Sequence, residues 1–188
     1  MKAIKIFDEE FTSRNFNSSP LSIDTSDYDS DKFDYEMVLF GYGVANADVD
    51  FQIRFNADSS TNYRRYYMSG TGSSAGGQVN DSRDALILVD MRRSSYPTLA
   101  RISITGSTGE ERYVSWLASG TTNSNSIIRK SSGYWKNTID SIASIDLTSD
   151  ISGNSDAHII VYAIPKVSQG GWEKVDSGSI NRSNVNSN

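Results

Sequence analysis

Val49-Asp50-Phe51-Gln52-Ile53-Arg54-Phe55-Asn56 decides the fold class. Its odd positions are apolar and its even positions polar, the two-residue period of a strand with one buried face. Working outward, Phe33-Asp34-Tyr35-Glu36-Met37-Val38-Leu39-Phe40 opens with the same alternation and then turns apolar on both faces. Ala85-Leu86-Ile87-Leu88-Val89 is a continuous apolar run, short for a helix and flanked by charge, and reads as a strand covered on both sides. Further strands are predicted over 2–7, 63–68, 98–105, 111–118, 125–129, 133–137, 142–148 and 156–164. Between them, Gly70-Thr71-Gly72-Ser73-Ser74-Ala75-Gly76-Gly77, Gly106-Ser107-Thr108-Gly109, Gly120-Thr121-Thr122-Asn123-Ser124-Asn125 and Gly153-Asn154 have the composition of loops and hairpin turns. No segment repeats apolar residues at helical spacing for three turns. About ten short strands with polar turns predict an all-β chain, a jelly roll or two-sheet β-sandwich.

The chain has 188 residues, enough for one sizeable core. Its 18 basic and 23 acidic side chains give a formal net charge of −5. That surplus disfavours nucleic acid, which needs a basic stripe, as a partner. Cysteine is absent, so disulfides, zinc–thiolate sites and a cysteine nucleophile are excluded. The apolar stretch in Met1-Lys2-Ala3-Ile4-Lys5-Ile6-Phe7 is short for a signal peptide and is interrupted at once by Asp8, Glu9 and Glu10. No stretch has the length to cross a bilayer, so no membrane partner is expected.

The sequence divides into an N-terminal strand with an acidic connector (1–32), a sandwich domain (33–165) and a polar C-terminal arm (166–188). Neither end has the apolar content to offset its ordering entropy alone. Trp172, Val175 and Ile180 punctuate the C-terminal stretch, which reads either as an arm that docks on a neighbouring chain or as an unanchored terminus.

Signals for chemistry are sparse. Asp27-Tyr28-Asp29-Ser30-Asp31, between Asp24 and Asp34, spaces carboxylates as calcium loops do. Lys32 stands where the turn glycine belongs and Val38 where the bidentate Glu belongs, so a solvated connector is the expected reading. His158, the single histidine, shares a strand face with Ile160, Tyr162 and Ile164, and nothing assembles a triad or metal cluster around it. Gly70–Gly76 lacks the closing Gly-Lys-Ser/Thr of a phosphate loop and reads as a flexible loop. Tyr63, Tyr66 and Tyr67 surround Arg64 and Arg65, and Trp116, Tyr134 and Trp135 lie on or beside predicted strands. Such aromatics stack on sugars, seat a protein partner or fill a core; core or subunit contact is the favoured reading. No catalytic residues, metal or cofactor are expected.

Several stretches carry a resemblance in their order. Phe51-Gln52-Ile53-Arg54-Phe55-Asn56-Ala57-Asp58 leads to Asn62-Tyr63, then come Gly70-Thr71-Gly72-Ser73-Ser74, Ala100-Arg101-Ile102-Ser103-Ile104-Thr105-Gly106 and Ile142-Ala143-Ser144-Ile145-Asp146-Leu147, and the series closes on Ala157-His158-Ile159-Ile160-Val161-Tyr162-Ala163-Ile164. The series resembles a class of tailed-phage virion proteins whose pattern reads roughly R-x-N-G-D…N-Y, then I-x-S-I-x-L, then a last strand ending x-x-Y-G-I. The likeness covers about two thirds of the chain. Ala57 and Ala163 stand where that class often has glycine.

The resemblance implies a jelly-roll structural protein of the virion, synthesised in the host cytoplasm and commonly trimeric, with the major capsid protein and its own copies as partners. Among capsid decoration (cement), head-fibre and tail-associated roles, the single short domain with polar ends points to decoration. Ile4, Ile6 and Phe7 near the start and Trp172 and Val175 in the arm are the candidate protein-docking residues. Ile4, Ile6 and Phe7 equally suit an edge strand of the domain itself. The alternative is a receptor- or carbohydrate-binding tail or fibre module, with Tyr66, Tyr67, Trp116 or Trp135 on an exposed face.

Overall fold

The computed structural model describes residues 2–43, 49–71, 74–91, 97–121, 126–150 and 153–166. Twelve strands appear among them: β1 (Ile4–Asn15), β2 (Leu21–Asp24), β3 (Phe33–Gly43), β4 (Val49–Phe55), β5 (Tyr63–Thr71), β6 (Ser74–Arg83), β7 (Leu86–Met91), β8 (Thr98–Thr105), β9 (Arg112–Thr121), β10 (Ser126–Trp135), β11 (Ser144–Ser149) and β12 (Asn154–Pro165). They form two antiparallel sheets, one of eight strands in the order β1-β12-β3-β8-β9-β10-β5-β6 and one of four in the order β2-β11-β4-β7. Without the hairpins β5–β6 and β9–β10, two four-stranded sheets remain, β1-β12-β3-β8 against β2-β11-β4-β7. That interleaved order is the double Greek key of a jelly roll. The two hairpins extend one sheet only.

The alternation in 49–56 does what its period predicts. Phe51, Ile53 and Phe55 are fully buried, facing inward beside Ile145 and Leu147 of β11 and Leu86 and Leu88 of β7. From the larger sheet, Met37, Leu39, Ile102, Val114, Trp116, Ile159 and Val161 complete the core. Burying a large aliphatic or aromatic side chain contributes about 1.5–3 kcal/mol, so this interlayer drives the fold.

Three expectations change. The polar stretch after residue 7 is not a bare connector: β1 runs on to Asn15 and β2 follows at Leu21–Asp24. Polar residues are tolerated there because, among the described residues, β1 is an edge strand bonded on one side only, to β12. The segments predicted at 125–129 and 133–137 are one strand, β10. Gly133, the first residue of the second predicted segment, lies within this strand, where a Cβ would sit 2.5 Å from the Arg64 carbonyl oxygen and 2.7 Å from Leu86. Finally, the described residues of Gly70–Gly77 are strand rather than loop: they belong to β5 and β6, paired from Thr71↔Ser74 through Met68↔Gly77.

Candidate functional site

Ile4, Ile6 and Phe7 begin the edge strand β1. Ile6 and Phe7 pack against the core, whereas Ile4 keeps 40% of its surface. The edge-strand arrangement therefore uses two of the three internally. Trp172 and Val175 lie outside the described residues.

Three carboxylates of the acidic run serve turns. Asp24 Oδ1 accepts the Ser26 N–H at 2.9 Å and Asp29 Oδ1 accepts the Asp31 N–H at 3.0 Å. Asp31 reaches the 106–111 turn, where its Oδ1 accepts the Thr108 N–H at 2.5 Å; that bond holds its carboxyl below the usual range. Among the described residues, no three His, Asp or Glu side chains converge as metal ligands. His158 lies on the half-exposed face of β12, with Nε2 2.7 Å from Asp8 Oδ1 on β1.

The aromatics divide. Tyr63, Trp116 and Trp135 are buried, so Trp116 and Trp135 cannot present the sugar-binding face considered from sequence. The reason is strand parity, because each points to the interior with its apolar neighbours. Tyr66 and Tyr113 point outward, 36% and 53% exposed.

The two most distinctive sequence stretches meet at one corner. Asn56 and Ala57 follow β4 with φ of 54° and 53°, both left-handed. The Asn56 side chain bridges to the segment before β11: Oδ1 accepts the N–H groups of Ala143 (2.8 Å) and Ser144 (3.0 Å), and Nδ2 donates to the Ser141 carbonyl at 2.8 Å. Ala57 N–H donates to Asp146 Oδ2 at 2.7 Å, which also accepts from Ser144 Oγ at 2.9 Å. Asp58 Oδ2 accepts from Trp135 Nε1 at 2.7 Å and from Asn62 Nδ2 at 3.1 Å, while Ser60 bonds its other oxygen. Partial burial pushes the Asp58 carboxyl up, but hydrogen bonds from Ser60, Trp135 and Asn62 outweigh it and hold the pKa at about 2. Tyr63 OH accepts the Phe55 N–H at 2.9 Å and donates to the Asp58 carbonyl at 3.2 Å; burial pushes its pKa up. Every polar group of Asn56-Ala57-Asp58…Asn62-Tyr63 described here is spent on geometry. The corner is a joint between the sheets.

What remains open is the outer face of the eight-stranded sheet. Strand register sets its outward side chains in rows across β8, β9, β10 and β5. The first row is Leu99–Ser119–Ile128–Gly70, the second Arg101–Leu117–Lys130–Met68, the third Ser103–Ser115–Ser132–Tyr66 and the fourth Thr105–Tyr113–Tyr134–Arg64. Phe40 on β3 extends the first row beside Leu99. Phe40, Leu99, Leu117, Ile128 and Met68 are 47–63% exposed, so the first two rows carry large apolar groups in water. In the fourth row, Tyr113 and Tyr134 stand with ring centroids 5.9 Å apart. Arg64 donates to Tyr134 OH at 3.2 Å, pairs with Asp81, and lies 5.0 Å from the centroid of the Tyr66 ring. Near the β6 end the face holds an open depression of about 510 Å³, lined by Tyr66, Met68, Val79, Ser115, Lys130 and Ser132 among others. Sequence reading found Tyr66 and Arg64 but missed the serines, Leu117 and Met68. Their signal was the polar parity of β9 and β10, visible only once the register was known.

No family model and no curated protein matches the chain. Among solved structures, a crystal structure of a protein of unknown function from Shewanella oneidensis aligns with 89% of this chain and 77% of its own length, at 8% identity and a TM-score of 0.22. A likeness at that level carries no argument.

Proposed function

We propose that this protein is a structural component of a bacteriophage virion, a capsid decoration protein that braces neighbouring capsomers through protein–protein contacts. The single observation that carries the reading is the exposed apolar line Phe40–Leu99 with Ile128, set on regular strands of a rigid two-layer body. Apolar side chains of that size, grouped on a sheet face rather than scattered, mark an interaction surface. Two further points support it. The order of sequence stretches resembles the virion class, and the two most distinctive of them are used for folding, as a brace without chemistry requires. Three-fold repetition of a modest contact gives tight attachment, because each further contact forms at high effective concentration. In this reading Trp172 and Val175 add docking contacts from the C-terminal segment, and Ile4 adds one from β1.

Phage particles produced with and without the protein provide the test. Wild-type protein is expected on the particle surface at a fixed ratio to the major capsid subunit and in hundreds of copies. Phe40→Asp with Leu99→Asp, or deletion of residues 169–188, is expected to leave a folded protein that no longer attaches. A handful of copies at a tail tip, or full occupancy by all variants, rejects the proposal.

A further inference from the structure

We infer that the third row of the outer face is the floor of an oligosaccharide-binding trough, independent of any contact with a capsid. Ser103, Ser115, Ser132 and Tyr66 lie side by side across four strands. At about 4.8 Å per strand the floor is about 14 Å long, enough for a few sugar rings. Small serines form it, and taller side chains flank it: Leu117, Lys130 and Met68 on one side, Tyr113, Tyr134 and Arg64 on the other. Val79, opposite Tyr66 on β6, closes the end of the floor, and Gly77, opposite Met68, adds no side chain to the wall beside it. The 510 Å³ depression occupies this end and falls in the range of about 300–1,000 Å³ common to small-molecule sites.

The chemistry of the walls selects the ligand class. An apolar side chain laid in the trough would strip water from the Ser115 and Ser132 hydroxyls without replacing their hydrogen bonds, a cost of about 1–3 kcal/mol for each group left unmet. A sugar ring offers hydroxyls along its edge for those serines and a face of C–H groups for Tyr66 and Tyr113. Tyrosine suits such a contact because one side chain carries both an apolar ring and a polar tip. Arg64, fixed by Asp81 and Tyr134 and lying over Tyr66, holds that ring in place, while Lys130 adds a cation that favours acidic sugars. The floor of the trough lies on strands β8, β9, β10 and β5, three of which belong to the added hairpins.

The experiment uses the full chain, free of particles, on an array of neutral and uronic-acid-containing oligosaccharides. Retention of at least one saccharide is expected, followed by calorimetric titration with that compound. Ser132→Leu, which fills the floor from a solvent-facing position, and Tyr66→Ala are each expected to weaken binding at least tenfold. Phe40→Ala, outside the trough, is expected to bind as wild type. Circular dichroism checks the fold of each variant, and Ser115→Leu replaces any that fails. An array with no retained saccharide, or binding indifferent to the floor substitutions, overturns the inference. Trough substitutions that instead abolish attachment to particles, with no saccharide bound, also overturn it and assign the surface to protein. Loss of capsid attachment in the Phe40→Asp, Leu99→Asp variant bears on the decoration role alone.

Discussion

At the scale of single residues, the joint formed by Asn56, Ala57 and Asp58 makes two predictions. Ala57 has φ of 53°, a conformation costing a residue with a Cβ about 1–2 kcal/mol. Glycine removes that strain but adds about 0.5–1 kcal/mol of unfolded-state entropy. Ala57→Gly is therefore expected to stabilise the protein by about 0.5–1 kcal/mol, read as a higher midpoint in urea with an unchanged slope. Asp58 predicts a pH dependence. Its folded-state pKa of about 2 lies below the ordinary 3.8, so the unfolded chain takes up the proton first as pH falls. The stabilisation is fully present above the ordinary value and disappears as pH drops through about 2. An Asp58→Asn variant should be less stable than wild type at pH 6, and the gap should narrow steadily from pH 5 to pH 2. A constant gap over that range would mean that Asp58 acts through shape rather than charge.

At the scale of elements, Gly133 lies within the strand that unites two predicted segments. It sits opposite Arg65 of the neighbouring strand β5, and an added methyl would lie 2.5 Å from the Arg64 carbonyl oxygen and 2.7 Å from Leu86. Gly133→Ala is expected to cost about 1–3 kcal/mol, the usual range for overpacking. Gly70 and Gly76 in the β5–β6 hairpin have nothing within 4 Å of a new Cβ. Gly70→Ala and Gly76→Ala are expected to lie within about 0.5 kcal/mol of wild type, as surface changes do. Thermal melts of the three variants separate the cases. The same contrast explains what the sequence made legible. Periodicity marked β3, β4, β8 and β12 because each has one face against the core and one in water, as the alternating burial of β8 and β12 shows. It missed β6 and most of β1, whose residues are largely exposed and whose strand identity comes from pairing with β5 and β12. The polar run Lys130-Ser131-Ser132 split β10, and a glycine inside a strand looks the same in sequence as a glycine kept for a turn, so Gly76-Gly77 hid β6. The outer face suffered most, since its rows depend on register between residues up to 70 apart, such as Arg64 and Tyr134.

At the scale of the whole molecule, the jelly roll is closed by one lysine at the end of β12. Lys166 Nζ donates to the Ser30 carbonyl (2.6 Å), the Gly106 carbonyl (2.8 Å) and Ser107 Oγ (2.9 Å), and its own N–H donates to the Lys32 carbonyl at 2.8 Å. It thus ties the last strand to the turns before β3 and after β8, drawing together three segments that belong to different parts of the chain. Hydrogen bonds from a charged donor contribute about 1.5–3 kcal/mol, and two backbone carbonyls would lose theirs. Lys166→Ala is therefore expected to lower stability by about 2 kcal/mol. Removing residues 169–188 keeps the clamp and every described strand, so the shortened protein should melt within about 0.5 kcal/mol of the full chain, the scale of changes that touch no core or cap. The pair locates the boundary of the folded unit. Should the truncated chain lose as much as the lysine variant, the C-terminal segment would be part of the sandwich, and its Trp172 would belong to the fold rather than to a partner.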